Sequence, residues 1–164
     1  MPIDRRPMLV GLGAALALAV ALALQLVGKL APCPLCIYQR YPYLAVVLVC
    51  LVGLWWRPRL ALAAAALALA VNVGLAGYHV AVEQGWLPLP ESCATVGSAT
   101  TVEELRRQLA AAPARCDQIS ATFLGLSLAA WNGLYALALL LATLAALRGR
   151  AGSAAEQDRY PRVA

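Results

Sequence analysis

Charge is scarce in this chain: 13% of its 164 residues are charged, while 62% are hydrophobic. A soluble domain of this length has no core large enough to hide that balance, so the expected solvent is lipid. No basic patch with interleaved aromatics is present, which sets nucleic acid aside as a partner. Histidine is reduced to a single residue, His79, so no His pair can complete a zinc site with a Cys pair. No internal repeat is found, and the chain reads as one domain.

What is abundant is long apolar sequence. Four stretches, at about 8–27, 37–56, 60–82 and 123–147, approach or exceed the roughly 20 helical residues that cross a hydrocarbon layer. Leu60 to Val73 is broken by one Asn and no turn signal, which reads as a helix apolar all round and not as an alternating barrel strand. The fold class expected is an all-α integral membrane protein, a four-helix transmembrane bundle. The first stretch imitates a secretory signal, with Arg5 and Arg6 ahead of it and Ala21-Leu22-Ala23 inside it. A signal core is about 7–15 residues long, and this uncharged run is longer, so it is expected to be retained as a helix.

Four spans put both termini on one side, with the Arg57-Pro58-Arg59 turn. That side holds Arg5, Arg6, Arg57, Arg59, Arg148, Arg150, Arg159 and Arg162, against Lys29, Arg40, Arg106, Arg107 and Arg115 on the other. Positive charge is retained in the cytoplasm; the termini are therefore expected inside, and the segments 28–36 and 83–122 outside. In the longer loop, Thr101-Val102-Glu103-Glu104-Leu105 looks like a capping box opening a short helix to about Ala112, stopped by Pro113. Its Val102, Leu105 and Leu109 share a face, which suits the membrane surface. The stretch 148–164 is small, charged and aperiodic, and reads as a disordered cytoplasmic tail.

Five cysteines occur. Cys33, Cys36, Cys93 and Cys116 fall on the expected outer side, where disulfides persist, and Cys50 falls inside a span, where a free thiol packs as a small apolar residue. In Cys33-Pro34-Leu35-Cys36, Pro34 suits the first helical position, and Cys36 would lie in the first turn, where free amides and the helix dipole favour a thiolate. A redox pair, a structural disulfide and a metal site compete for this motif. Haem attachment fails, since Ile37 and not His follows Cys36. Cys93 and Cys116 either staple the long loop, worth roughly 3 kcal/mol in the chain-entropy account, or offer an exposed disulfide on a mobile loop to an incoming thiolate. Mobility favours exchange.

Titratable groups in lipid are costly and point to function. Arg40 lies one turn beyond Cys36, and His79 falls at a matching depth near the outer end of the third span. An arginine, an imidazole and a thiol at one level can hold a flat molecule with two carbonyl groups, a description that fits a quinone. The plainer alternatives are an Arg40 that only snorkels to headgroups and a His79 that only pairs with Glu83. Tyr38, Tyr41 and Tyr43 read as an outer aromatic belt, Trp55 and Trp56 as an inner one. Pro42 is expected to kink the second span, and Asn72 and Asn132 to hydrogen-bond between helices.

Cys33-Pro34-Leu35-Cys36-Ile37-Tyr38-Gln39-Arg40 before a span, a His in the third span, a distant Cys pair, and Phe123-Leu124-Gly125-Leu126 entering the fourth together resemble the DsbB family of disulfide bond formation proteins. The resemblance covers nearly the whole chain. It implies an inner-membrane protein-disulfide:quinone oxidoreductase. A periplasmic DsbA-like partner would attack Cys93, Cys116 would pass electrons to Cys33, and Cys36 would face ubiquinone or menaquinone held by Arg40 and His79. Two positions depart from the family's pattern: Gln39 stands where an acidic residue is expected and is expected to tune polarity near Arg40, and Pro34 stands in a variable apolar position and is expected to shift the pair's potential. The competing readings are an oxidase for a dedicated partner, a vitamin K epoxide reductase-like protein, whose C-x-x-C usually comes late in the chain, and a non-enzymatic membrane scaffold with structural disulfides.

Overall fold

The computed structural model describes residues 5–54, 56–93, 101–103, 106 and 114–159. Helix α1 (Arg5–Leu26) is followed by a short α2 (Pro34–Tyr38), α3 (Arg40–Gly53), α4 (Pro58–Glu83), a 3-10 turn (Glu91–Cys93), an antiparallel pair β1 (Thr122–Phe123) and β2 (Leu126–Ser127), and α5 (Leu128–Arg159). Four helical stretches are long and apolar enough to cross a membrane: Arg5–Leu26, Pro34–Gly53, Pro58–Glu83 and Leu128–Gly149. Their large apolar side chains face outward in number, Leu12, Leu16, Leu48, Leu67 and Leu141 among them, as in a multi-pass membrane protein.

Packing is organised around α4, which lies between α3 and α5, while α1 packs on α3. Leu62, Ala65, Leu69, Asn72, Ala76 and His79 are buried along one seam of α4. Their alternating three- and four-residue spacing is that of a bundle seam. Lipid supplies no hydrophobic drive between helices, so close approach through small residues takes its place. Each interface has its glycine. A Cβ at Gly11 of α1 would come to 3.1 Å from the Cys50 Cβ of α3, one at Gly133 of α5 to 3.2 Å from the Ala76 Cβ of α4, and one at Gly53 of α3 would land on the Cβ of Ala61 in α4. Cys50 is thus buried in the core between α1 and α3.

Several boundaries differ from the sequence reading. The second span starts at Pro34, not Ile37, because Cys33 caps it and Pro34 lacks the amide proton that a first turn leaves free. It breaks at Gln39, between α2 and α3; Pro42 removes the donor that would bond the Tyr38 carbonyl. Phe123-Leu124-Gly125-Leu126 does not begin the fourth span but forms a hairpin, whose central Leu124 and Gly125 have φ of 51° and 79°. These values suit the turn that matches strand twist. α5 then starts at Leu128, where the Ser127 hydroxyl accepts the Ala130 amide at 3.2 Å. At its far end α5 continues to Arg159, into the segment read as a disordered tail, since Ala151, Ala154, Ala155, Glu156 and Gln157 suit a helix; 160–164 lie outside the described residues. Tyr38 and Tyr41 are exposed with rings 6.4 Å apart, but Tyr43 is buried and is not a belt residue. Trp56 is exposed, and Trp55 lies outside the described residues, as does most of the expected loop helix to Ala112.

Candidate redox site

The C-terminal ends of α1 and α4, the short α2 and the start of α5 assemble the site. Cys33, extended at φ −76° and ψ 163°, is the N-cap of α2, and its sulfur accepts the Cys36 amide proton at 3.3 Å. The two thiols stand 2.9 Å apart and unbridged. The helix start therefore favours a thiolate at Cys33, not at Cys36, because a cap side chain reaches forward to the amide of the third helical residue. The hydrogen bond from Cys36 pulls the Cys33 thiol down from 9.0 to about 4; burial opposes this, and His79 adds to it.

His79 lies on the buried seam of α4, three positions before the buried Val82. Its Nε2 lies 3.6 Å from the Cys33 sulfur and 3.8 Å from Glu83 Oε1 one turn on. The other oxygen of Glu83 accepts the Ser127 hydroxyl proton at 2.6 Å, so the hairpin holds this carboxylate against the site. Arg40 Nη1 donates to Gln25 Oε1 of α1 at 2.8 Å, a fixed contact between helices and not a free reach to headgroups. Gln39 is buried at the helix break and bonded to His79 and Asn132. Asn132 also accepts from Tyr43 at 3.0 Å, joining helices as expected, whereas Asn72 is buried with its amide outside hydrogen-bond geometry. Sequence reasoning missed the parts of Gln39, Gln25 and Ser127. The heptad spacing of α4 was the available signal that His79 points inward.

Cys93 and Cys116 form a disulfide across 23 positions. Both are fully buried, in one cluster with Cys33, Leu35 and Val82, against which Cys36, Leu89 and Ala114 pack. The expectation of an exposed disulfide is therefore corrected: apolar side chains from α2 and α4 cover it. All four cysteines share a single packed group at one end of the bundle. Arg115 and Asp117 flank Cys116 with two hydrogen bonds, at 3.0 and 2.7 Å, which hold the Asp117 carboxyl below its ordinary range.

A cavity of about 360 Å³ opens beside the thiols. Cys33, Cys36, Arg40 and His79 line it together, facing an apolar wall that includes Leu16 and Val20 of α1. Its size and its few convergent polar groups in an apolar lining are those of a small-molecule site. The donor atoms of Cys33, Cys36 and His79 also fall within 4.8 Å of one another, three donors where a structural zinc site takes four.

The family model for the disulfide bond formation protein DsbB matches residues 4–146. Among curated proteins, the chain is 37% identical over 139 residues to disulfide bond formation protein B of Herminiimonas arsenicoxydans, covering 78% of this chain and 85% of that one. It is 36% identical over 160 residues to the protein of the same name from Azoarcus sp. (strain BH72), covering 92% and 96%. With the protein of that name from Stutzerimonas stutzeri (strain A1501) the identity is 35% over 130 residues, covering 74% and 80%. Two cysteine pairs packed together at one end of four membrane-length helices, and a match spanning those helices, lead to one conclusion: this chain belongs to the DsbB family of disulfide bond formation proteins.

Proposed function

We propose that the protein reoxidises a DsbA-like thioredoxin-fold partner and passes the electrons, through Cys93–Cys116 and then Cys33–Cys36, to a membrane quinone. The observation that carries this reading is the single packed group of four cysteines, one pair bridged and the other reduced, with the reduced pair opening onto a cavity lined by Arg40 and His79. The arginine excess on the side of the termini supports an inner-membrane orientation with the cysteines in the periplasm.

A bound quinone, ubiquinone or menaquinone, supplies an acceptor for two electrons and two protons. The cavity fits such a group: an apolar wall suits the ring, and a guanidinium and an imidazole can meet its oxygens. The Cys33 thiolate and the Cys36 thiol yield two electrons and one proton as their bond forms, and the second proton comes from water. Arg40, held by Gln25, offers fixed positive charge to a reduced oxygen. On the protein side, a partner thiolate bonds Cys93 and breaks Cys93–Cys116, releasing Cys116 as thiolate. Cys116 then attacks Cys33 of the oxidised pair, and Cys36 leaves and takes up a proton as the thiol. The partner's second thiolate attacks the partner sulfur of the mixed disulfide and departs oxidised, releasing Cys93 as thiolate. Cys93 then attacks Cys116, which re-forms Cys93–Cys116 and frees Cys33, so that two partner thiols are exchanged for a disulfide and two electrons rest on the Cys33–Cys36 pair. A thiol held low, as Cys33 is, stabilises the reduced pair and makes its disulfide a ready acceptor.

The test is quinone reduction by the purified protein with reduced DsbA as donor. One quinone consumed per partner disulfide formed, lost in Cys36→Ser, is expected; full turnover in Cys36→Ser overturns the assignment. A purely structural role for the disulfides predicts no quinone consumption at all.

A further inference from the structure

We propose that Gln39 decides which ring nitrogen of His79 carries the proton, and so aims an N–H at the Cys33 sulfur. The chemical use of that N–H rests on the redox reading above; the protonation pattern stands on hydrogen bonding alone.

The argument starts from a backbone carbonyl. The oxygen of Leu75 can only accept, and it lies 3.4 Å from one end of the Gln39 side chain. That end must therefore be the amino group, since the carbonyl end would set two acceptors face to face. The remaining contacts agree. The Asn132 amino group donates to Gln39 Oε1 at 3.1 Å, and the Tyr43 hydroxyl donates to Asn132 Oδ1 at 3.0 Å. Reversing Gln39 alone sets like groups together at both Leu75 and Asn132, and reversing Asn132 alone sets two carbonyl oxygens face to face. With its nitrogen so fixed, Gln39 also donates to His79 Nδ1, 3.2 Å away. Nδ1 is then an acceptor, and in the neutral ring the proton sits on Nε2. Nε2 faces the Cys33 sulfur at 3.6 Å, with Glu83 Oε1 as its other neighbour at 3.8 Å.

Burial makes the choice consequential. Gln39 is 6% exposed and His79 2%, so water offers little alternative to these partners. The helix break puts Gln39 in reach of α4 and α5 together. Gln39 is thus a positioning residue: it touches neither sulfur, but it turns the imidazole into a donor toward Cys33. A carboxylate of the same shape would do the reverse, drawing the ring proton to Nδ1 and leaving Nε2 as a lone pair against the sulfur.

The chain contains one histidine, so protein labelled with ¹⁵N-histidine gives the signals of a single imidazole. In the reduced full-length protein in lipid bilayers, the expected pattern is a protonated Nε2 and an unprotonated Nδ1. Gln39→Glu should move the proton to Nδ1, and Gln39→Leu should give a mixture. A protonated Nδ1 in the unaltered protein, which needs no variant to fold, overturns the proposal, as does an unchanged pattern in a folded Gln39→Glu. Quinone-coupled turnover of the unaltered protein is measured beside the spectra. The expected ring pattern in a protein that never reduces quinone would sink the functional reading while supporting the tautomer; the opposite result would do the converse.

Discussion

The thiol at the cap of α2 makes a quantitative prediction about protons. With its ionisation drawn down from 9.0 to about 4, Cys33 is almost wholly thiolate at pH 7, where an ordinary thiol is about 1% ionised, roughly a hundredfold difference. Because the native value is depressed, the stabilisation of the reduced pair is fully present above 9.0 and is lost as pH falls through about 4. Between these limits, closing the disulfide releases one proton and not two. The potential of Cys33–Cys36 should therefore change by about 30 mV per pH unit, half the roughly 59 mV of a pair that takes up two protons. Between pH 6 and pH 8 this amounts to about 60 mV against about 120 mV. The measurement is equilibration of the Cys93→Ser, Cys116→Ser double variant with thiol redox buffers at several pH values, followed by trapping of free thiols and mass spectrometry of the peptide carrying both cysteines. Cys36→Ala, which removes the leading cause of the shift, should abolish thiolate absorbance between pH 5 and 7. A two-proton slope, or thiolate absorbance untouched in Cys36→Ala, refutes the reasoning.

Other expectations follow from the same geometry. Arg40→Ala should raise the quinone concentration for half-maximal rate about tenfold while leaving thiol exchange with the partner intact; unchanged quinone kinetics would reduce Arg40 to its bond with Gln25. Because Cys93 and Cys116 are buried, a small phosphine should reduce their bond at least about tenfold more slowly than it does in urea, and equal rates would refute the packed arrangement. Gly53→Val should lower thermal stability in detergent by about 1–3 kcal/mol or more, since its side chain meets Ala61, whereas Cys50→Ala should keep full activity.

The number of membrane-length helices, and the places of Cys33 at a helix start and of Cys93 and Cys116 in the long connection, were legible in the sequence, because apolar length and cysteine spacing are local properties. So was the level of His79 beside Arg40, from helical rise: both line one cavity. The identity of the favoured thiolate was not: Cys33 and Cys36 both flank a helix start, and only the cap geometry separates them. Gln39 looked like a departure from a pattern, since its partners Leu75, His79 and Asn132 lie 36 to 93 positions away. The hairpin at Thr122–Ser127 was hidden in an apolar run that passes for the start of a helix. Burial of the loop disulfide was out of reach for the same reason, being a matter of what α2 and α4 lay over it.

The hairpin gives the long loop unequal leashes. Thr122 follows Cys116 by six positions and is tied down through β2, where Ser127 grips Glu83, and through the Trp131 indole, which donates to the Phe123 carbonyl at 2.8 Å. Cys93 hangs ten positions beyond Glu83, past Pro88 and Pro90. In the proposed relay, the shorter tether would keep the Cys116 sulfur at the higher local concentration around Cys33 once the Cys93–Cys116 bond is opened, and the longer one would let Cys93 follow the partner. The proposed order of electron flow thus has a counterpart in chain length as well as in thiol chemistry.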